Sequence, residues 1–201
     1  MTTPRQPVTP GDLRTAARLC MATLRPALDG DWSALAHGLE WSCRHALDHI
    51  SDALAYFATN MGAEPPGSPV GSYGQRADAP LKDLLASVEP LADLVAETVS
   101  RLPAETVVPH MWGETDPEGI LAMGVVEIVV HTWDIGQAVG AHINDPAANQ
   151  LAMRSLGRLF PESPDGPAPL DSLLFATGRM ALPNRPRLTS WRWRSGPLTD
   201  R

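Results

Sequence analysis

Glu127, His131 and Asp134 fall one helical turn apart in GILAMGVVEIVVHTWDIGQAVG, residues 119–140. At about 100° per residue, an α-helix lines all three up on one narrow face. The rest of the segment is mostly valine, isoleucine, alanine and glycine, and a helix apolar on nearly every side belongs in the centre of a fold. A carboxylate carried into that interior needs a cation, because an unpartnered buried charge costs several kcal/mol against a total stability of ~5–15 kcal/mol. An arginine or lysine from another helix would make a structural ion pair, a protonated histidine a pH-sensitive one, and a divalent metal a ligand site. Glu-x-x-x-His suits the metal, since both donors converge beside the helix. The same pattern also describes a hydrogen-bonded core pair, so a third donor from elsewhere in the chain decides between them.

The elements that would supply it are helical. Cys43, Leu47, Ile50, Leu54, Phe57 and Met61 form the stripe of a helix capped by Ser42. His49 lies at the edge of that stripe between Ala46 and Ala53, small neighbours that leave room beside the imidazole. A first helix is predicted from an N-cap at Asp12 to Leu28, ended or kinked by Pro26. A third is predicted from Leu81 to Leu102 with a kink at Pro90, and the central helix from Pro117 or Glu118. Residues 62–80 read as loop, and TVVPHMWGETDPEG as a crossing segment in which His110 and Trp112 have packing or substrate-facing roles open to them. Strand alternation is not evident, so the expected fold is an all-α four-helix bundle over residues 12–140. In an up-and-down arrangement His49 would meet Glu127 and His131 inside it. Residues 141–201 form a C-terminal extension with helices at 145–159 and 170–180. Its basic tail, carrying Trp191 and Trp193, either packs over the bundle or mediates self-association as a homodimer.

Composition narrows the partners. A chain of 201 residues with 43% hydrophobic content can bury one sizeable core. A net charge of -7 and the lack of a long basic run argue against nucleic acid and against an anionic membrane surface. The opening MTTPRQPVTPGD lacks the apolar core of a signal peptide, and Glu127 interrupts the longest apolar stretch, so a soluble cytoplasmic protein is expected. Cys20 and Cys43 match no disulfide framework or zinc-finger spacing and read as buried thiols, with a ligand or reactive role left open for Cys43.

WSCRHALDHISDAL, GVVEIVVHTWDIGQAVG and LDSLLFATGRMALP, in that order, resemble the mycothiol-dependent maleylpyruvate isomerase family. That family belongs to the DinB-like superfamily of metal-binding four-helix bundles. The resemblance covers Asp12 to about Pro183. Mapped by motif, it implies His49, Glu127 and His131 as metal ligands and Arg179 as a residue near the thiol cofactor. Three N and O ligands leave open positions on a divalent ion, with zinc the first choice and nickel, iron or manganese compatible. The implied chemistry is attack of a metal-bound mycothiol thiolate on a small electrophile, by S-transfer or by reversible addition that permits isomerisation. Asp134 would orient His131 or accept its N–H, and His45 is the candidate base, with an altered cap or an extra ligand the other readings open to it. Three departures stand out. His45 replaces the acid that completes the family's capping box with Ser42, Gln137 stands where relatives often have arginine, and Val125 and Val126 precede Glu127 where a basic residue is common. Metal-assisted hydrolysis, a non-catalytic binding bundle and a metal-free hydrogen-bonded core are the alternatives.

Overall fold

The computed structural model describes residues 5–61, 78–110 and 113–198. The greater part of the loop expected at 62–80, and Trp112, lie outside the described residues.

Helix α1, Pro10–Leu24, begins a turn earlier than expected. Thr9, not Asp12, is its N-cap. The Thr9 hydroxyl accepts from the Asp12 N–H at 3.2 Å and the Asp12 carboxylate accepts from the Thr9 N–H at 2.8 Å, a reciprocal capping box. Pro10 fits the first helical position, where no N–H is needed. Pro26 converts the far end into a 3₁₀ turn, Arg25–Ala27. Helix α2, Cys43–Asn60, starts at Ser42 as expected, the Ser42 hydroxyl accepting from the His45 N–H at 3.2 Å.

The expected third helix is two: α3, Leu81–Ala86, and α4, Val88–Ser100. The break falls at Ser87, one turn before Pro90. Pro90 cannot donate to the carbonyl of Ala86 and its ring clashes there, so the chain parts one turn upstream of the proline. Ser87 fills the gap, its hydroxyl donating to Leu84 O at 2.7 Å and lying 2.9 Å from the Ser51 hydroxyl. The crossing segment contains a short antiparallel hairpin, β1 (Val108–His110) and β2 (Gly113–Thr115), with Val108 opposite Thr115. Three-residue strands are too short to show alternation in sequence.

Helix α5, Pro117–Val139, is the axis of the fold. The Asp116 carboxylate caps it, accepting from the Gly119 N–H at 2.7 Å, and Gly140 ends it with a left-handed φ of 73°. It is long and apolar enough to cross a bilayer, but 89% of that window is buried inside the protein. Helices α1 and α2 each pack against both α4 and α5. Consecutive helices α1 and α2 therefore lie diagonally, rather than side by side as an up-and-down order would have them, and α2 becomes a direct neighbour of α5. The connection between α1 and α2 is pinned to α5 by the His37 N–H donating to Asp134 O at 2.9 Å.

Helices α6 (Ala147–Leu159) and α7 (Pro169–Ala176) complete the chain, α6 packing on α5 and α7 on α6. One contiguous buried cluster runs from Val8 to Ala176, so the extension shares the core of the bundle. Its tail is tied down by fully buried Arg158 on α6. That guanidinium reaches Asp116 at 3.0 Å and the carbonyls of Arg194, Ser195 and Gly196 at 3.0, 3.3 and 3.0 Å. The Leu198 N–H closes the loop on Asp116 at 3.1 Å.

Gly136 marks the tightest approach near the end of α5. A Cβ there would lie 2.2 Å from the backbone oxygen of Ala141, which cannot rotate away. Gly136→Ala is expected to lower stability by about 1–3 kcal/mol, as overpacking does. Urea unfolding would check this, and an unchanged midpoint would show that the turn after Gly140 yields freely.

Candidate metal centre

Because α2 and α5 are neighbours, the edge of the α2 stripe faces the polar line of α5. His49 Nε2 and His131 Nε2 both lie 3.3 Å from the same oxygen, Oε2 of Glu127. One donor atom from each residue falls within 4.8 Å of the other two. The side chain of His131 is 7% exposed and that of His49 33%, so the trio is closed on the α5 side and open towards α2.

Burial pushes the Glu127 carboxyl up, but hydrogen bonds and charge from His131 and His49 outweigh it and hold the group well below the usual carboxylate range. Burial likewise pulls His131 down, and Asp134 and Glu127 reverse this, raising it to about 9. Without a metal, this environment favours the protonated form of His131 opposite the Glu127 charge.

The expected supporting residues stand in a row behind His131. Asp134 Oδ2 lies 3.1 Å from His131 Nδ1, in an approach too bent for a well-aligned hydrogen bond. Asp134 is fully buried and, among the described residues, meets the centre through His131, so its place is that of an orienting group. Arg179, expected near a thiol cofactor, directs Nε and Nη2 at Asp134, at 3.3 and 3.1 Å, and Nη1 at Thr177 O, 2.8 Å away. These contacts set Arg179 behind the histidine.

Its placement follows from how α7 ends. The Gly178 N–H donates to Phe175 O at 2.9 Å and the Arg179 N–H to Leu174 O at 2.7 Å, with Gly178 in the left-handed region at φ 69°. This is the Schellman motif, and it explains why glycine precedes arginine in LLFATGR.

His45 is not part of the three-donor group. Its ring stacks on Trp41 at 4.7 Å between centroids. Trp41, whose role the sequence leaves open, also lies 4.9 Å from His49 and 6.0 Å from His131, forming an aromatic wall beside both imidazoles. His110 sits among Tyr56 and Phe57 at 5.9 and 6.1 Å; burial lowers it and the Glu127 charge partly opposes that. Trp133 makes an edge contact with His37 at 4.9 Å. Cys20 and Cys43 are both buried and unpaired, and burial raises both thiols, Cys20 to about 12. Burial thus disfavours both thiolates, and neither cysteine belongs to the donor group.

The donor set fits a divalent ion. Zinc bonds of ~2.0–2.1 Å at tetrahedral angles place neighbouring donors about 3.3 Å apart. A charge-assisted hydrogen bond between imidazolium and carboxylate settles nearer ~2.7–2.9 Å. The two observed separations of 3.3 Å are compatible with the first figure, and all three donor atoms lie within 4.8 Å of one another.

Comparison with known proteins finds no relative: no protein-family model, no curated protein and no solved structure matches the chain.

Proposed function

We propose that the chain is a DinB-like metalloprotein that uses a divalent ion to activate a low-molecular-weight thiol against a small electrophile. Mycothiol is the thiol suggested by the resemblance, and the reaction is S-transfer or thiol-assisted isomerisation. The observation that carries the metal is the pair of 3.3 Å separations converging on one Glu127 oxygen, with His49 leaving one side open. Bound there, zinc or a similar ion supplies Lewis acidity, which lowers the pKa of a thiol and favours its nucleophilic form at neutral pH.

The chain's own residues do the rest. His49 and His131 present imidazole nitrogens and Glu127 the compensating negative charge. Asp134 keeps the far nitrogen of His131 turned inward, and Arg179 neutralises Asp134. Trp41 lines the centre beside both imidazoles. His45, one turn before His49 and stacked on Trp41, accepts the proton released by the thiol. Such chemistry belongs in the cytoplasm, where small thiols stay reduced.

The first test is elemental mass spectrometry of purified wild type, His49→Ala and Glu127→Ala. Near-stoichiometric divalent metal in wild type and background levels in both variants are expected. The second adds mycothiol to the metal-loaded protein with a fluorogenic bimane electrophile and measures adduct formation. Metal without thiol-dependent turnover of this or other electrophiles leaves a binding protein. No metal, even after reconstitution, removes the basis of the reading.

A further inference from the structure

The tail, residues 187–198, is joined to the rest of the chain at several places, among them the Arg194 N–H, which donates to Leu159 O at 2.8 Å, and two that bear on the site. One is the Arg158–Asp116 anchor. The other is the turn that carries Arg179. Trp191 lies over the Arg179 guanidinium, 5.9 Å from Cζ to the ring centroid. Arg187 Nη1 donates to Gly178 O at 3.1 Å. The tail also presses on Gly178 itself, where a Cβ would meet Leu188 O at 2.9 Å and Trp191 Cδ1 at 3.1 Å. Trp191 is braced from behind by Phe160 at 6.0 Å and Trp193 at 5.8 Å, although it remains 40% exposed.

We infer that Trp191 is a positioning residue of the metal centre, holding Arg179 on Asp134 and through it fixing the ring of His131. The inference rests on the metal reading for its consequence and on geometry alone for its mechanism. Arg179 has a long, flexible side chain, and its three contacts to Asp134 span 3.1–3.3 Å. Without a cover on its outer face the guanidinium would be free to turn towards water. An indole at this distance supplies that cover and an attraction to the cation. The contact between Asp134 and His131 Nδ1 is already bent. A displaced Arg179 would change the Asp134 rotamer and so the environment of the imidazole. The aromatic tail, which from sequence could only be called packing or self-association, thereby becomes the outermost layer of the site.

The test uses the full chain as Trp191→Ala, Trp191→Phe and Arg194→Ala. Arg194 belongs to the same tail, but among the described residues its side chain pairs only with exposed Glu162, at 3.3 Å. Two readouts are taken: the ¹⁵N and ¹H ring resonances of His131 in metal-free protein, and zinc affinity by competition with a chromophoric chelator. Trp191→Ala is expected to shift the His131 ring signals and weaken zinc binding by about three- to tenfold, at or below the lower end for groups supporting a metal ligand. Trp191→Phe should recover most of both, and Arg194→Ala should change neither. Unmoved ring signals in Trp191→Ala, or equal movement in Arg194→Ala, overturn the inference, as does unaltered affinity in a protein that binds zinc. Were wild type to bind no zinc, the metal reading would fall, while the ring resonances would still decide whether Trp191 reaches His131.

Discussion

Asp116→Ala and Arg158→Met are each expected to lower folding stability by about 3–5 kcal/mol, the range for removing one partner of a buried ion pair. Little solvent screening reduces this, since the two side chains are 4% and 0% exposed. Each residue does more than hold the other. Asp116 caps the helix that carries Glu127 and His131, and Arg158 gathers three tail carbonyls. Losing either leaves a charge without its counterion in the core, and losing Arg158 also releases the acceptors of residues 194–196. The double variant should therefore be less destabilised than the sum of the singles.

Burial pushes the Asp116 carboxyl up, but the Leu198 and Gly119 N–H groups and Arg158 prevail and hold it low. A carboxyl with a depressed folded pKa contributes stability that is complete above its unfolded value, about 4, and lost as pH falls through the folded one. The stability difference between wild type and Asp116→Asn should be flat from about pH 5 to 8 and shrink below about pH 4. Urea unfolding at several pH values checks both statements. A deficit under about 1 kcal/mol in both single variants would show that the tail and α5 are held by other contacts.

This anchor is hard to see in the sequence, whereas the candidate centre is not. Glu127 and His131 are legible because helical spacing aligns two polar groups in an otherwise apolar run. His49 is legible because alanines flank it at a stripe edge. Arg158 reads as an ordinary basic residue in the last turn of α6, and besides Asp116 its acceptors are backbone carbonyls 36–38 residues away, which have no side-chain signature. Thr9 and Asp12 do form a recognisable capping box, hidden by the proline-rich arm around them. The break at Ser87 follows from Pro90 once the lost bond is counted back four residues. The diagonal placement of α1 and α2 depends on which helix faces exchange area, a property of the whole assembly. The turn at Gly178 shows the opposite case, a glycine and an arginine visible in sequence whose meaning appears only when the Schellman motif turns Arg179 towards Asp134.

Zinc is expected to raise the stability of wild type by about 4 kcal/mol when supplied at a thousand times its dissociation constant. For a chain of this size that amounts to roughly 8–16 °C in midpoint temperature. The gain arises because the three donors converge only in the folded state: His49 comes from α2, whereas Glu127 and His131 come from α5. Metal binding competes with protonation of His131, which Asp134 and Glu127 favour, so at a fixed zinc concentration the gain is largest at mildly alkaline pH and falls as pH drops. Glu127→Ala removes the charge on which both imidazoles converge and should abolish the zinc-dependent shift. Its metal-free form should fold with a lowered midpoint, because two imidazoles packed 5.1 Å apart lose the carboxylate that neutralises them while α5 keeps its apolar packing. Differential scanning calorimetry with zinc, and again after chelation, makes the comparison. A wild-type midpoint indifferent to zinc, nickel, manganese and iron alike would leave His49, Glu127 and His131 as a hydrogen-bonded core.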